Sequence, residues 1–175
     1  MTDRIGRLHR RRLLLAVPAA GLLTACEASA VATFPTLQSA ADAVERALTA
    51  HRSRGAWSLA QVLDHAAQSV EYSMRGYPQL QGAAFRSTLG AAAFAVFDSR
   101  GAMRHALDEP IPGAPPLGTD LPSAGRRLLQ ALRDFERFDG PLQPHFAYGA
   151  LDKAPYTRAH LMHLADHWRE VERTA

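Results

Sequence analysis

Four prolines and a glycine crowd the segment Pro110-Ile111-Pro112-Gly113-Ala114-Pro115-Pro116, and neither a regular helix nor a central strand can run through it. Each proline lacks the N–H that both kinds of ladder need. On both sides of the segment apolar residues recur at helical spacing, so the chain is divided into two helical halves joined by a long irregular connection. A connection of this length either carries function or crosses between helices that are not simple neighbours. The crossover is the favoured reading.

The first half holds two helices. Leu37, Ala41, Val44 and Leu48 mark one from Thr36 to about His51, and Ser53-Arg54-Gly55 breaks it. A second runs from about Ser58 to Met74, with Leu59, Val62, Leu63, Ala66 and Val70 on its apolar face. Ser58 and Gln61 have the spacing of a capping box, and Gly76 and Pro78 end the helix. Residues 79 to 119 are less regular. Phe85 to Phe97 is rich in Ala and Phe and can hold a helix, which Asp98-Ser99-Arg100-Gly101 breaks.

The second half opens with a helix from about Leu121 to Phe138, with Leu128, Ala131, Leu132, Phe135 and Phe138 inward and Pro122 in its first turn. After the loop Leu142 to Ala150, Asp152 caps a fourth helix expected to reach about Arg173. Four amphipathic helices without a strand pattern predict an all-α fold, a four-helix bundle with a long crossover between helices 2 and 3.

The N-terminus reads as an address. Of the formal net charge of +3, residues 1–25 supply +4, from five arginines against Asp3, and the remainder carries −1. That near-neutral body gives no electrostatic reason to expect nucleic acid. Arg10-Arg11-Arg12-Leu13-Leu14 resembles a twin-arginine export signal, and Leu23-Thr24-Ala25-Cys26 resembles a bacterial lipobox. The apolar stretch from Leu13 to Leu23 is too short to span a bilayer stably. These features divide the chain into a signal peptide at 1–25, a lipidated tether at 26–35 and a bundle at 36–175. Cys26 is then the lipidated residue, and the protein is exported and lipid-anchored on the extracytoplasmic, periplasmic face of the cell envelope. A buried N-terminal helix with an ordinary core cysteine is the bland alternative. With Cys26 lipidated, no thiol remains for a disulfide, a metal or nucleophilic catalysis.

His160, His163 and His167 share the fourth helix, and the last two sit four residues apart, on one side and about one turn from each other. One helix supplies two ligands to a transition metal at that spacing. His65 lies to one side of the apolar face of the second helix. If those sides face each other, His65, His163 and His167 form a three-nitrogen site with positions open to water or substrate. The competing reading is that histidines near a helix C-terminus oppose its dipole and are merely hydrogen-bonded. Gln68 and Tyr72 lie one and two turns beyond His65, while His145 and Tyr148 occupy the loop entering the fourth helix. All four are candidates to line or cap a pocket, and all have ordinary packing or turn roles as alternatives. Trp57 and Trp168 read as packing residues, and Asp64, Asp166 and Glu170 as supporting or surface carboxylates.

The segment Trp57 to Pro78, with His65 inside it, resembles the second-helix segment of the DinB/YfiT-like superfamily, and more narrowly a branch classed as a domain of unknown function. Pro110-Ile-Pro-Gly-Ala-Pro115, Pro144-His-Phe-Ala-Tyr-Gly-Ala-Leu151 and His160-Leu-Met-His-Leu-Ala-Asp-His167 are similar to further segments of that branch. The resemblance covers the body from about residue 36. It implies a four-helix bundle holding a divalent metal, zinc or nickel, through the positions of His65, His163 and His167. Unlike the branch, which often has adjacent histidines in the last motif, this chain has Asp166 before His167, so the role of His160 stays open.

The resemblance further implies a metal-dependent hydrolase or thiol transferase. A nonenzymatic metal- or ligand-binding envelope lipoprotein is the alternative, and a structural bundle with incidental histidines is the third reading. Expected partners are a small-molecule substrate or ligand, the membrane through Cys26, and a second copy of the chain in a homodimer.

Overall fold

The structure, a computed structural model, describes residues 33–174. The signal peptide and the lipidation site at Cys26 lie outside the described residues. The body is an all-α bundle. Its elements are α1 (Leu37–Ala50), β1 (His51–Ser53), α2 (Leu59–Arg75), α3 (Ala83–Phe85), α4 (Ala91–Arg100), α5 (Leu121–Arg137), α6 (Lys153–His167) and β2 (Val171–Arg173). Among the described residues no helix is long and apolar enough to cross a membrane.

Local sequence explains the helix ends. Thr36 caps α1 in a reciprocal capping box with Ser39, and Ser58 does the same for α2 with Gln61. Asp120 accepts the Ser123 N–H to start α5, with proline in the first turn. The only lysine of the chain, Lys153, donates to the Phe135 and Phe138 carbonyls and so closes the C-terminal end of α5 from the start of α6. Asp152 stands at the N-cap of α6 as expected, but its side chain makes no capping bond.

The core joins the apolar faces of α1, α2, α5 and α6, with Val44, Leu63, Leu128, Phe135 and Tyr156 almost wholly buried. Arg127 of α5 reaches across to α2, donating to both Glu71 oxygens and to Asp64 Oδ1. Asp64 in turn accepts the Gly118 N–H of the crossover.

Three expectations need correction. The fourth helix stops at His167 rather than Arg173. A 3₁₀ turn follows at Trp168–Glu170, and then a strand. That strand pairs antiparallel with β1, Ser53 opposite Val171 and His51 opposite Arg173, so a small two-stranded sheet exists where no strand was expected. Each strand has only three residues, too few for alternation to be visible in sequence. Finally, the helix in the crossover is longer than Phe85–Phe97. It begins with α3, continues through a π-helical turn at Arg86–Gly90 and ends with α4.

That crossover helix packs against the loop before α6. A Cβ on Gly90 would lie 1.9 Å from the Ala147 carbonyl oxygen, so only glycine permits the approach. Within the loop, His145 and Gly149 exchange backbone hydrogen bonds of 2.8 and 3.2 Å around a turn closed by Gly149 at φ 81°. The turn holds His145 and Tyr148 in fixed positions. The crossover also covers the flank of α2, and for that reason Asp64, His65, Gln68 and Ser69 are buried beside the conventional apolar face.

Candidate metal centre

His65 from α2 and His163 and His167 from α6 come together, and His105 from the crossover joins them. One ring nitrogen of each lies within 4.8 Å of all the others. His65 Nε2 is 3.1 Å from His163 Nε2, and His105 Nε2 is 3.2 Å from His167 Nε2. Four imidazoles at metal–nitrogen bonds of 2.0–2.1 Å in a tetrahedron would have nitrogens about 3.3 Å apart. The two closest pairs are already near that spacing.

Their protonation suits the same purpose. Burial pushes His65 down to about 4 and His167 down to about 2, with neighbouring histidines adding to both shifts. His163 is held well below its ordinary value for the same reasons, and burial lowers His105 against the opposing pull of Asp166. All four are neutral at physiological pH and offer lone pairs rather than positive charge. His65 Nδ1 and His167 Nδ1 are buried without a hydrogen-bond partner. Trp57 lies over both rings, stacked on His167 at 6.0 Å and tilted against His65 at 4.9 Å, so it shields that side of the cluster. It acts in packing, as the sequence implied.

Asp166 orients the fourth histidine. Its carboxylate is completely buried, accepts the His105 N–H at 3.0 Å and lies 2.9 Å from His105 Nδ1, at an angle that misses a full hydrogen bond. Arg104 and Arg169 each donate to its other oxygen at 3.1 Å. A carboxylate behind a histidine favours the Nδ1–H tautomer and turns Nε2 toward a metal.

The other candidates separate. His160 is buried, points Nε2 at Ser73 Oγ, 3.2 Å away, and lines the cavity beside the cluster while standing outside the group of four. Gln68 is fully buried and donates to the Pro115 carbonyl, so it ties α2 to the proline-rich segment. Tyr72 packs near Tyr77, with ring centres 5.5 Å apart, and is absent from the cavity lining. His145 and Tyr148 stack on each other at 4.2 Å and line a cavity of about 210 Å³ beside the cluster. His65, His105 and His163 form the cavity wall nearest the cluster.

Sequence reasoning missed His105 because it stands on irregular backbone with no spacing relation to another histidine. The usable signal lay elsewhere, in Asp166: a carboxylate on the same helix as two candidate ligands asks for a partner to orient.

The fold and the site together define a helical bundle with a partly buried four-imidazole cluster that could hold a metal ion. The chain belongs to the family described as Protein of unknown function (DUF1569), whose model matches residues 29–174. No curated protein and no solved structure matches it.

Proposed function

We propose that this protein binds a divalent transition metal, zinc or nickel, through His65, His105, His163 and His167, and that the metal acts on a small molecule held in the adjoining cavity. The convergence of four neutral ring nitrogens carries the reading. Imidazole is a favoured ligand for both metals, and the absence of a carboxylate among the four argues against a hard ion such as magnesium. A bound ion would supply Lewis-acid chemistry. The chain itself contributes a cavity wall of three of the ligands, a shield in Trp57 and an orienting carboxylate in Asp166.

Between the two reactions proposed, metal-dependent hydrolysis fits better than thiol transfer. Among the described residues no arginine or lysine lines the cavity, whereas the acidic thiols that cells use as cofactors need cations to hold their carboxylates. A second reading has its own support. Four protein ligands complete a tetrahedral shell, which for zinc is the arrangement of a structural or binding site. An ion that accepts a fifth ligand keeps the enzymatic reading.

The bundle order and histidine placement support the kinship with DinB-like proteins, and the arginine-rich segment before Cys26 supports export and lipid anchoring. A reporter fused to residues 1–30 tests the last point, since export that persists without the twin-arginine translocase rejects the signal type. For the metal, the full-length chain without a histidine tag is purified and its elements are measured. About one ion per chain is expected, falling at least tenfold in affinity when any of the four histidines becomes alanine. The absence of stoichiometric metal, together with no response of uptake or stability to the four substitutions, overturns the proposal.

A further inference from the structure

Two histidines outside the cluster face the cavity with their proton positions fixed in opposite senses. The Nδ1 of His145 accepts the backbone N–H groups of Ala147 and Tyr148 at 3.1 and 3.2 Å. Its lone proton must therefore sit on Nε2, and no described protein group accepts it. Ser73 Oγ donates to the Val70 carbonyl at 2.6 Å, so its contact with His160 Nε2 makes the serine oxygen an acceptor there. The proton of His160 is then on Nε2, and Nδ1 keeps a lone pair with no described donor. Burial pushes both rings down to about 3, so neither becomes a cation under physiological conditions. Both rings line the cavity, so its lining includes one histidine whose unpaired nitrogen is a donor and one whose unpaired nitrogen is an acceptor, both uncharged.

The rest of the lining narrows the chemistry. Met103, Ile111, Pro112 and Phe146 make most of it apolar, and Glu109 is its one carboxylate among the described residues. An anion would meet Glu109 and find no cation. A group with an acceptor and a donor on neighbouring atoms, with an apolar body, meets every wall. We propose that this cavity is a recognition site for small uncharged carboxamides, the carbonyl oxygen accepting from His145 Nε2 and the amide N–H donating to His160 Nδ1. This names the ligand class of the cavity and rests on the reading of that cavity as the metal centre's ligand site. A volume of about 210 Å³ limits the ligand to roughly the size of a single substituted ring.

Benzamide, benzoate and benzamidinium test it, because they share one shape and carry zero, negative and positive charge. Binding is measured by calorimetry on the full-length chain, both as purified and after chelation, so that direct carboxylate–metal contact cannot stand in for recognition by the cavity. Benzamide should bind saturably, at least tenfold tighter than benzoate and benzamidinium in the chelated chain, and should shift the side-chain nitrogen resonances of His145 and His160. His145→Phe, which preserves the stack on Tyr148, should weaken benzamide about tenfold, the value of one good hydrogen bond. The nitrogen shifts decide the matter in wild type should that variant fail to fold. Equal or better binding of either charged probe, no saturable benzamide binding below about 10 mM, or binding that leaves both histidines unmoved overturns the proposal. Metal content read on the same samples separates the two readings: amide binding without metal rejects only the metal centre, and metal without amide binding rejects only this ligand class.

Discussion

Lowering the pH should unfold this protein in a range where most bundles remain stable. Six of the eight histidines, all except His9 and His51, are held neutral inside the fold with lowered proton affinity. Above the unfolded value of 6.5 neither state binds these protons, and the stability is fully present. Below 6.5 the unfolded chain takes them up while the native chain does not, so stability is lost as pH falls toward the native values of about 4 for His65, about 3 for His145 and His160, and about 2 for His167. At pH 5.5 these four together cost of order 5 kcal/mol. His105 and His163 add in the same direction. A domain of this size has about 5–15 kcal/mol in total, so unfolding is expected between about pH 5 and 5.5. Urea titrations of the chelated chain at pH 7, 6 and 5.5, followed by circular dichroism, measure the loss directly. Bound metal should raise the whole curve without flattening it, because the native ligands are already neutral across that range. A stability at pH 5.5 within about 1 kcal/mol of that at pH 7 would refute the reasoning, since it requires these histidines to take up protons inside the fold.

Two substitutions examine the supports of the site. Asp166→Asn keeps the shape of the side chain but removes the charge behind His105. It should lower metal affinity about 10–100-fold, read by competition with a chelating dye, while the other three histidines keep their positions. Arg127→Met strips the cation from between Glu71 and the buried Asp64 and should cost about 2 kcal/mol in urea denaturation, less than a fully buried pair because Arg127 is one-third exposed. Hydrogen exchange at Gly118 should quicken in that variant, since the Asp64 that accepts its N–H loses its anchor.

The bundle itself was legible because burial writes periodicity into sequence. The faces of α1, α2 and α5 have long apolar repeats, and the capping box of Ser58 and Gln61 is a local pattern that tertiary contacts did not override. His65, His163 and His167 could be named because two share a helix face and the third sits on a helix whose direction is readable. What remained hidden depends on contacts between distant segments. The flank of α2 carrying Asp64, Gln68 and Ser69 looks solvent-facing by its polarity, and only the crossover laid over it buries these residues and bonds Asp64 and Gln68. The end of the fourth helix is hidden in the sequence because Trp168 and Val171 continue the apolar spacing, yet they pack on the core from a 3₁₀ turn and a strand.

The proline-rich segment lies in the crossover that also carries His105, so the connection both spans the bundle and contributes to the histidine cluster. The segment crosses the bundle, and on the way it delivers His105 to histidines fixed on helices. A side chain on irregular backbone has no helical ladder to hold it, so its position rests on Asp166, which takes the His105 N–H and is itself held between Arg104 and Arg169. Further along, Gln68 grips the Pro115 carbonyl and Asp64 the Gly118 N–H. The helices thus fix three nitrogens, and the docking of the crossover fixes the fourth. The number of nitrogens the cluster could offer a metal is therefore a property of how this connection seats rather than of the bundle. Any change that lifts the connection converts a closed four-nitrogen set into an open three-nitrogen one, and disturbs the cavity wall formed by Ile111 and Pro112 at the same time.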